Sequence, residues 1–175
     1  MKQISLGSII FFSLFASAQI DLEKRKVLGD KVEILVPGKF KQMSQEMLDF
    51  KYRGNNKPTL VLTDDAAAVN LGFNLMQHQA NEDLIETYKN LLKGSFEKSF
   101  PNAIWKSDGV RMIHGRKVGY FKLLTAAIDQ SIYNYIFITH CEGKLLVGTF
   151  NCTEKRLAEW EETAEKIIES LKIIE

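Results

Sequence analysis

Proline and cysteine are scarce, at three and two in 175 residues. That excludes a collagen-like repeat, a proline-rich disordered tail and a disulfide-dense miniprotein. Charge of one sign is missing as well, since 23 Lys+Arg face 22 Asp+Glu. A chain that neutralises phosphates needs a basic surplus, so nucleic-acid binding is set aside. No apolar run reaches the roughly 20 residues of a bilayer-spanning helix, which excludes a polytopic membrane protein. The G-x-S-x-G and C-x-x-C motifs of common hydrolases and thiol oxidoreductases are absent. Gly143-Lys144 lacks the preceding glycine spacing of a phosphate loop, and no G-x-G-x-x-G occurs. The reading is therefore no enzyme, no catalytic residue and no cofactor.

What is present begins with an atypical first segment. Lys2 supplies a positive start, Ile4 to Phe15 an uncharged apolar stretch of twelve, and Ala16-Ser17-Ala18 a small-residue close. That order is the pattern of an export signal, and twelve residues are short for a membrane span. Cleavage is expected between Ala18 and Gln19. An uncleaved anchor is the rival, because no charge stands between Gln3 and Ile20; the serines at 5, 8 and 13 and the A-x-A site weigh against it. No cysteine follows the run, which disfavours a lipid anchor. The protein is thus expected outside the cytoplasm, periplasmic or extracellular, with no membrane span after cleavage. Removing residues 1–18 takes away one lysine and no acid, so the mature chain has no net charge.

Residues 19–29 read as a charged leader and 30–175 as one domain. Val32 to Val36 alternates and stops at Pro37-Gly38, as an edge strand does. Met47 to Arg53 and Thr59 to Thr63 flank a run of turn-formers, Gly54 to Pro58, which predicts a hairpin. Val69 to Gln79 alternates through Val69, Leu71, Phe73 and Leu75. Asn81-Glu82-Asp83 offers a cap and two acids for a helix whose stripe is Leu84, Ile85, Tyr88, Leu91, Leu92 and Phe96, and which Pro101 ends. Strands are expected over Ala103 to Met112, Lys117 to Ala127, Ser131 to Cys141 and Lys144 to Asn151. Apolar residues on both faces of Ile132 to His140 mark a central strand covered on two sides. Thr153 should cap a last helix with the stripe Leu157, Trp160, Ala164, Ile167, Ile168 and Leu171. Two helices and about seven antiparallel strands make an α+β sandwich.

Few residues offer chemistry. A turn at Glu142-Gly143 sets Cys141 opposite Lys144 and Cys152 opposite Tyr133. Eight residues of strand is roughly 26 Å, against the roughly 7 Å that a disulfide bridges, so no disulfide is expected. Strand parity also points His140 away from Cys141, leaving a buried structural thiol. His78, His114 and His140 lie 36 and 26 residues apart, too scattered to form a local metal pair. They read as two strand histidines and one turn histidine, with no metal site. Asp64-Asp65 reads as a solvated turn, because a calcium loop needs more acids at alternating positions. Asn151-Cys152-Thr153 fits a glycosylation sequon in form only. Trp105, in the polar run Ala103 to Gly109, is the candidate partner-binding anchor; covering the sheet edge or the first helix is its alternative.

The segment Val32-Glu33-Ile34-Leu35-Val36-Pro37-Gly38-Lys39-Phe40, the helix after the early strands, the long meander and the ending Trp160-x3-Ala164-x2-Ile167-Ile168-x-Ser170-Leu171 together resemble the PsbP-like and DcrB-like superfamily. The resemblance spans roughly residues 30 to 175 and rests on packing motifs. It implies an antiparallel sheet between helices, an α/β/α sandwich. It also implies partner binding without a catalytic set: members range from extrinsic subunits of a photosynthetic complex to a nuclear transport factor that binds a small GTPase. The function expected is a non-catalytic exported module that binds an unknown protein partner or assists envelope assembly. A periplasmic carrier of a small ligand or metal is the alternative.

Overall fold

Alternating apolar residues assemble two antiparallel sheets. The computed structural model, which describes residues 20–52 and 57–174, runs β1 (Leu22–Val27), β2 (Val32–Pro37), β3 (Lys41–Gln42), α1 (Gln45–Lys51), β4 (Leu60–Thr63), β5 (Val69–Gln79), α2 (Ile85–Ser99), β6 (Ile104–Ile113), β7 (Arg116–Ala126), β8 (Ser131–Cys141), β9 (Lys144–Thr153), α3 (Leu157–Glu169) and β10 (Lys172–Ile173). Single 3-10 turns lead into α2 and α3. The large sheet has the order β3-β4-β5-β9-β8-β7-β6, and β1-β2-β10 form the small one. Among the described residues no helix is long and apolar enough to cross a membrane.

β8 lies between β9 and β7 and is covered on both faces, as its composition requires. Its Tyr133, Tyr135 and Phe137 join the core made with α3 and the small sheet, while Ile136 and Ile138 join the one under α2. The result is the α+β sandwich read from the sequence, with the large sheet between helices. Phe137 also explains Gly148, its partner across the ladder: a Cβ there would stand inside the Phe137 ring.

Several expectations are corrected. β2, expected at an edge, is the middle strand of the small sheet, paired with β1 on one side and β10 on the other. The strand expected from Met47 onward is instead the helix Gln45–Lys51. Ser44 Oγ accepts the Met47 N–H at 3.2 Å, Gln45 donates to Asp49 one turn on at 2.6 Å, and Leu48 and Tyr52 pack together on Met43, Val61 and Ala67. Arg53, the end of the expected strand, and residues 54–56 of the expected turn lie outside the described residues. The charged leader is also part of the fold, since β1 pairs with β2 over six positions. Charge suits it because it is an edge strand, and the Arg25 guanidinium ties it down by donating to the carbonyls of Phe40 (2.6 Å) and Gly38 (2.9 Å).

At the head of α3, Thr153 makes no side-chain capping bond, and Glu154–Arg156 forms a 3-10 turn in between. On α2, Asn81 caps as expected, accepting from Asp83 and Leu84 N–H at 3.1 and 3.2 Å. Leu91, however, faces solvent and Lys89 is buried. The reason is Gly119 on β7, whose bare backbone lets the Lys89 stem settle against the sheet.

Candidate functional site

A dense group of ionisable side chains lies where α3 crosses the large sheet. Ladder register puts Lys122 beside Tyr135 and Arg111 beside Val118, so all three side chains share the α3 face. Glu165 comes down from α3 between them. Tyr135 Oη donates to its Oε2 at 3.1 Å, Arg111 Nη1 donates to the same oxygen at 3.2 Å, and Lys122 Nζ bonds Oε1. Arg111 Nη2 also donates to Tyr135 Oη. The Lys122 ammonium stands 4.6 Å from the Tyr135 ring centre and the Arg111 guanidinium 5.2 Å from that of Tyr120. Burial alone would raise the Glu165 carboxyl, but Lys122, Tyr135 and Arg111 hold it below the usual carboxylate range. Burial pushes the Tyr135 hydroxyl far up. An ionised carboxylate with both oxygens engaged is a bolt for α3, not a proton shuttle.

The residues singled out in the sequence are dispersed. His78 is exposed on β5, and His114 occupies the β6–β7 turn with a φ of 46°. His140 Nε2 stands 3.2 Å from Glu82 Oε2, whose other oxygen accepts the Lys117 N–H at 2.5 Å. Among the described residues no group of three His, Cys, Asp or Glu could hold a metal. Asp64 is not a solvated turn residue. Its Oδ1 accepts the N–H groups of Ala68 (2.7 Å) and Val69 (3.1 Å), and Arg156 donates to Oδ2 at 2.7 Å. Burial works against that charge, yet Val69, Arg156 and Ala68 keep the carboxyl below its ordinary range. Asp65 alone is exposed, beside Lys41 at 3.0 Å.

Cys141 pairs with Lys144 and Cys152 with Tyr133, the register expected from the Glu142-Gly143 turn. Both thiols are buried, and burial pushes that of Cys152 up to about 11. Trp105 lies on β6, half-buried, its ring 5.7 Å from that of Phe121 with the Lys93 ammonium 5.3 Å above it. Ser95 and Lys98, at the S-x-x-K spacing of a serine-nucleophile motif, both lie on the exposed surface of α2. Ala18 and Gln19, the expected cleavage pair, lie outside the described residues.

Several clefts open on the surface, and two of them are notable for their lining. One, of about 610 Å³, lies between the small sheet and the β3-β4-β5 end of the large one, with Leu28, Leu60, Leu62, Leu75, Arg25 and Lys31 in its lining. The other, about 540 Å³, lies at the end of α1 over a polar row. There Thr63 donates to Asn70 Oδ1 and Asn70 to Asn151 Oδ1, each at 2.8 Å.

No family model and no curated protein matches the sequence. Solved structures do match. Cyanobacterial PsbP (CyanoP) from Synechocystis is similar with a TM-score of 0.63 and 14% identity, over 97% of this chain and 99% of that one. LpqN of Mycobacterium tuberculosis, involved in cell envelope biogenesis, is similar with a TM-score of 0.54 and 11% identity, over 88% and 92%. A Pseudomonas aeruginosa protein of unknown function is similar with a TM-score of 0.53 and 10% identity, over 88% and 98%. The fold is PsbP-like.

Proposed function

We propose that the chain is an exported, non-catalytic module that binds a protein partner in the cell envelope. The observation that carries this reading is the state of the groups able to do chemistry: Glu165, Lys122, Arg111 and Asp64 are bound to one another or to backbone, and the thiols are buried. The exposed groups, His78 among them, are dispersed over the surface. The fold shared with CyanoP and LpqN supports an accessory role, and LpqN, by its own part in envelope biogenesis, supports the setting. Export rests on the Lys2, Ile4 to Phe15 and Ala16-Ser17-Ala18 order, with residues 1–18 removed and the remainder forming one domain.

N-terminal sequencing of the protein recovered from fractionated cells tests export. A chain starting at Gln19 outside the cytoplasm is expected, and one starting at Met1 in the cytosol contradicts it. Trp105 is the proposed contact, so Trp105→Ala should weaken partner capture while leaving the circular dichroism spectrum and cooperative unfolding intact. Full capture by that variant removes Trp105 from the interface. The 610 Å³ apolar cleft favours a second reading, carriage of a small ligand, because its volume lies in the roughly 300–1,000 Å³ range of ligand pockets. Native mass spectrometry of protein from its own cells decides between them. A stoichiometric added mass, lost when Leu60 and Leu75 are changed to Glu, establishes carriage.

A further inference from the structure

Sheet edges carry rows of backbone N–H and C=O groups that attract other strands, and proteins blunt them with short strands, lysines, prolines or bulges. Three of the four edges here are blunted. β3 and β10 are two residues long, and β1 reads Leu-Glu-Lys-Arg-Lys-Val. β6 is different: it has ten residues, pairs with β7 on one side, and has no strand on the other among the described residues. One bulge interrupts its pairing, between Trp105 and Ser107. Beyond it Ser107 to Ile113 runs without a break. Apolar side chains crowd this edge: Val110 is 37% exposed, Met112 60%, and Ile104, at the far end, 64%.

We propose that the open edge of β6 receives an extended segment of a partner protein, which adds to the large sheet as an eighth strand. This rests on the partner-binding reading and names its surface and the chemistry of its partner. A row of unengaged backbone groups is complementary to another extended backbone, and to neither a helix nor a lipid. Val110 and Met112 share a face, because alternate residues do, so the segment presents apolar residues at alternate positions to them. Charge fixes its direction. At the Trp105 end Lys89 and Lys93 share the single carboxylate of Asp108, at 2.9 and 2.8 Å, and Lys106 adds a third cation. An acidic residue of the segment therefore belongs beside Lys106. A second copy of this chain fits poorly: Asp108, the one acid of β6, is already held by Lys89 and Lys93, so a self-paired β6 offers Lys106 no carboxylate.

The test uses the full chain in cells that make it, with a photo-crosslinking benzoyl-phenylalanine at Met112 and, as a control, at Glu162 on the solvent side of α3. The crosslinked segment is mapped by mass spectrometry, synthesised as a peptide and added to the unlabelled protein. A segment with alternating apolar residues and an acidic end is expected from Met112. As a peptide it should slow amide exchange in Ser107 to Ile113 by about tenfold or more. Val110→Lys and Met112→Lys should each abolish that protection with unchanged thermal unfolding, since both positions face solvent. No adduct from Met112, or a peptide that leaves β6 exchange unchanged, overturns the proposal. So does an adduct to a second copy, which establishes self-pairing instead. A partner caught from Glu162 alone keeps the partner-binding reading and removes the β6 edge from it.

Discussion

Trp160 is the best place to break this fold knowingly. It is 4% exposed, lies 5.7 Å from the Phe40 ring and 5.9 Å from the Phe150 ring, and carries the Arg156 guanidinium 5.3 Å from its centre. Truncation to alanine removes all three contacts and leaves a cavity, at a cost of about 3–5 kcal/mol. One term works the other way. The Trp160 Nε1–H is buried with no hydrogen-bond partner among the described residues, a defect that costs about 1–3 kcal/mol in the native state and disappears with the indole. The net for Trp160→Ala should therefore be about 2 kcal/mol, or roughly 4–8 °C in a domain of this size.

Trp160→Phe separates the two terms. It keeps most of the aromatic body and deletes the N–H, so it should cost less than about 1.5 kcal/mol. Urea denaturation followed by circular dichroism, with m-values compared to establish two-state behaviour, gives both numbers. If Trp160→Phe destabilises as much as Trp160→Ala, the indole N–H is satisfied in solution and the argument from an orphaned donor is wrong.

Other outcomes follow from the same contacts. Gly148→Ala should cost about 1–3 kcal/mol or more, because its new methyl overlaps Phe137; a neutral melting temperature contradicts the packing. Asp64→Ala should cost about 1–3 kcal/mol, since it strips acceptors from two backbone N–H groups and Arg156, while Asp65→Ala should stay within about 0.5 kcal/mol. Equal effects would show that Asp64 is not the anchor. The folded Glu165 carboxyl sits below its unfolded value, so its stabilisation is complete above the unfolded value of about 4.3 and is lost as pH falls through the lower folded one. Urea midpoints of wild type and Glu165→Gln should accordingly differ at neutral pH and converge in acid, whereas a constant gap rejects the ionic bolt. Iodoacetamide at pH 8 should leave Cys152 unmodified in the native protein and modify it in urea; rapid native labelling means that the hairpin opens.

The meander was legible because β6 to β9 announce themselves by period-two alternation and by turns at His114-Gly115 and Glu142-Gly143, where the backbone φ is positive. The last helix was legible through its stripe, with Trp160, Ala164, Ile167 and Ile168 all buried. α1 was missed since a seven-residue segment holds barely two turns, too few for a period to show. Its better signal was Ser44 at the cap position. β1 was hidden by its charges, which an edge strand tolerates and a central strand does not. The bolt around Glu165 joins four elements, and no local spacing can reveal it. One trace exists in the sequence: Lys122 lies between Phe121 and Leu123 in a strand otherwise fit for burial, and a lysine so placed needs an acid from elsewhere.

The tie between the chain's two ends bears on timing. The Leu35 N–H donates to Ser170 Oγ at 2.7 Å across a separation of 135 residues, and β10 pairs with the start of β2. At roughly 5–20 residues per second, a ribosome needs about 7–27 s to make the intervening chain. Throughout that interval β2 has neither α3 nor β10 to pack against, so the part of the core that its Val32, Ile34 and Val36 share with Trp160, Ile167 and Ile168 cannot close. The joint between the small sheet and α3 therefore closes only after β10 has been made, so the order of synthesis and the order of packing are opposed in this fold.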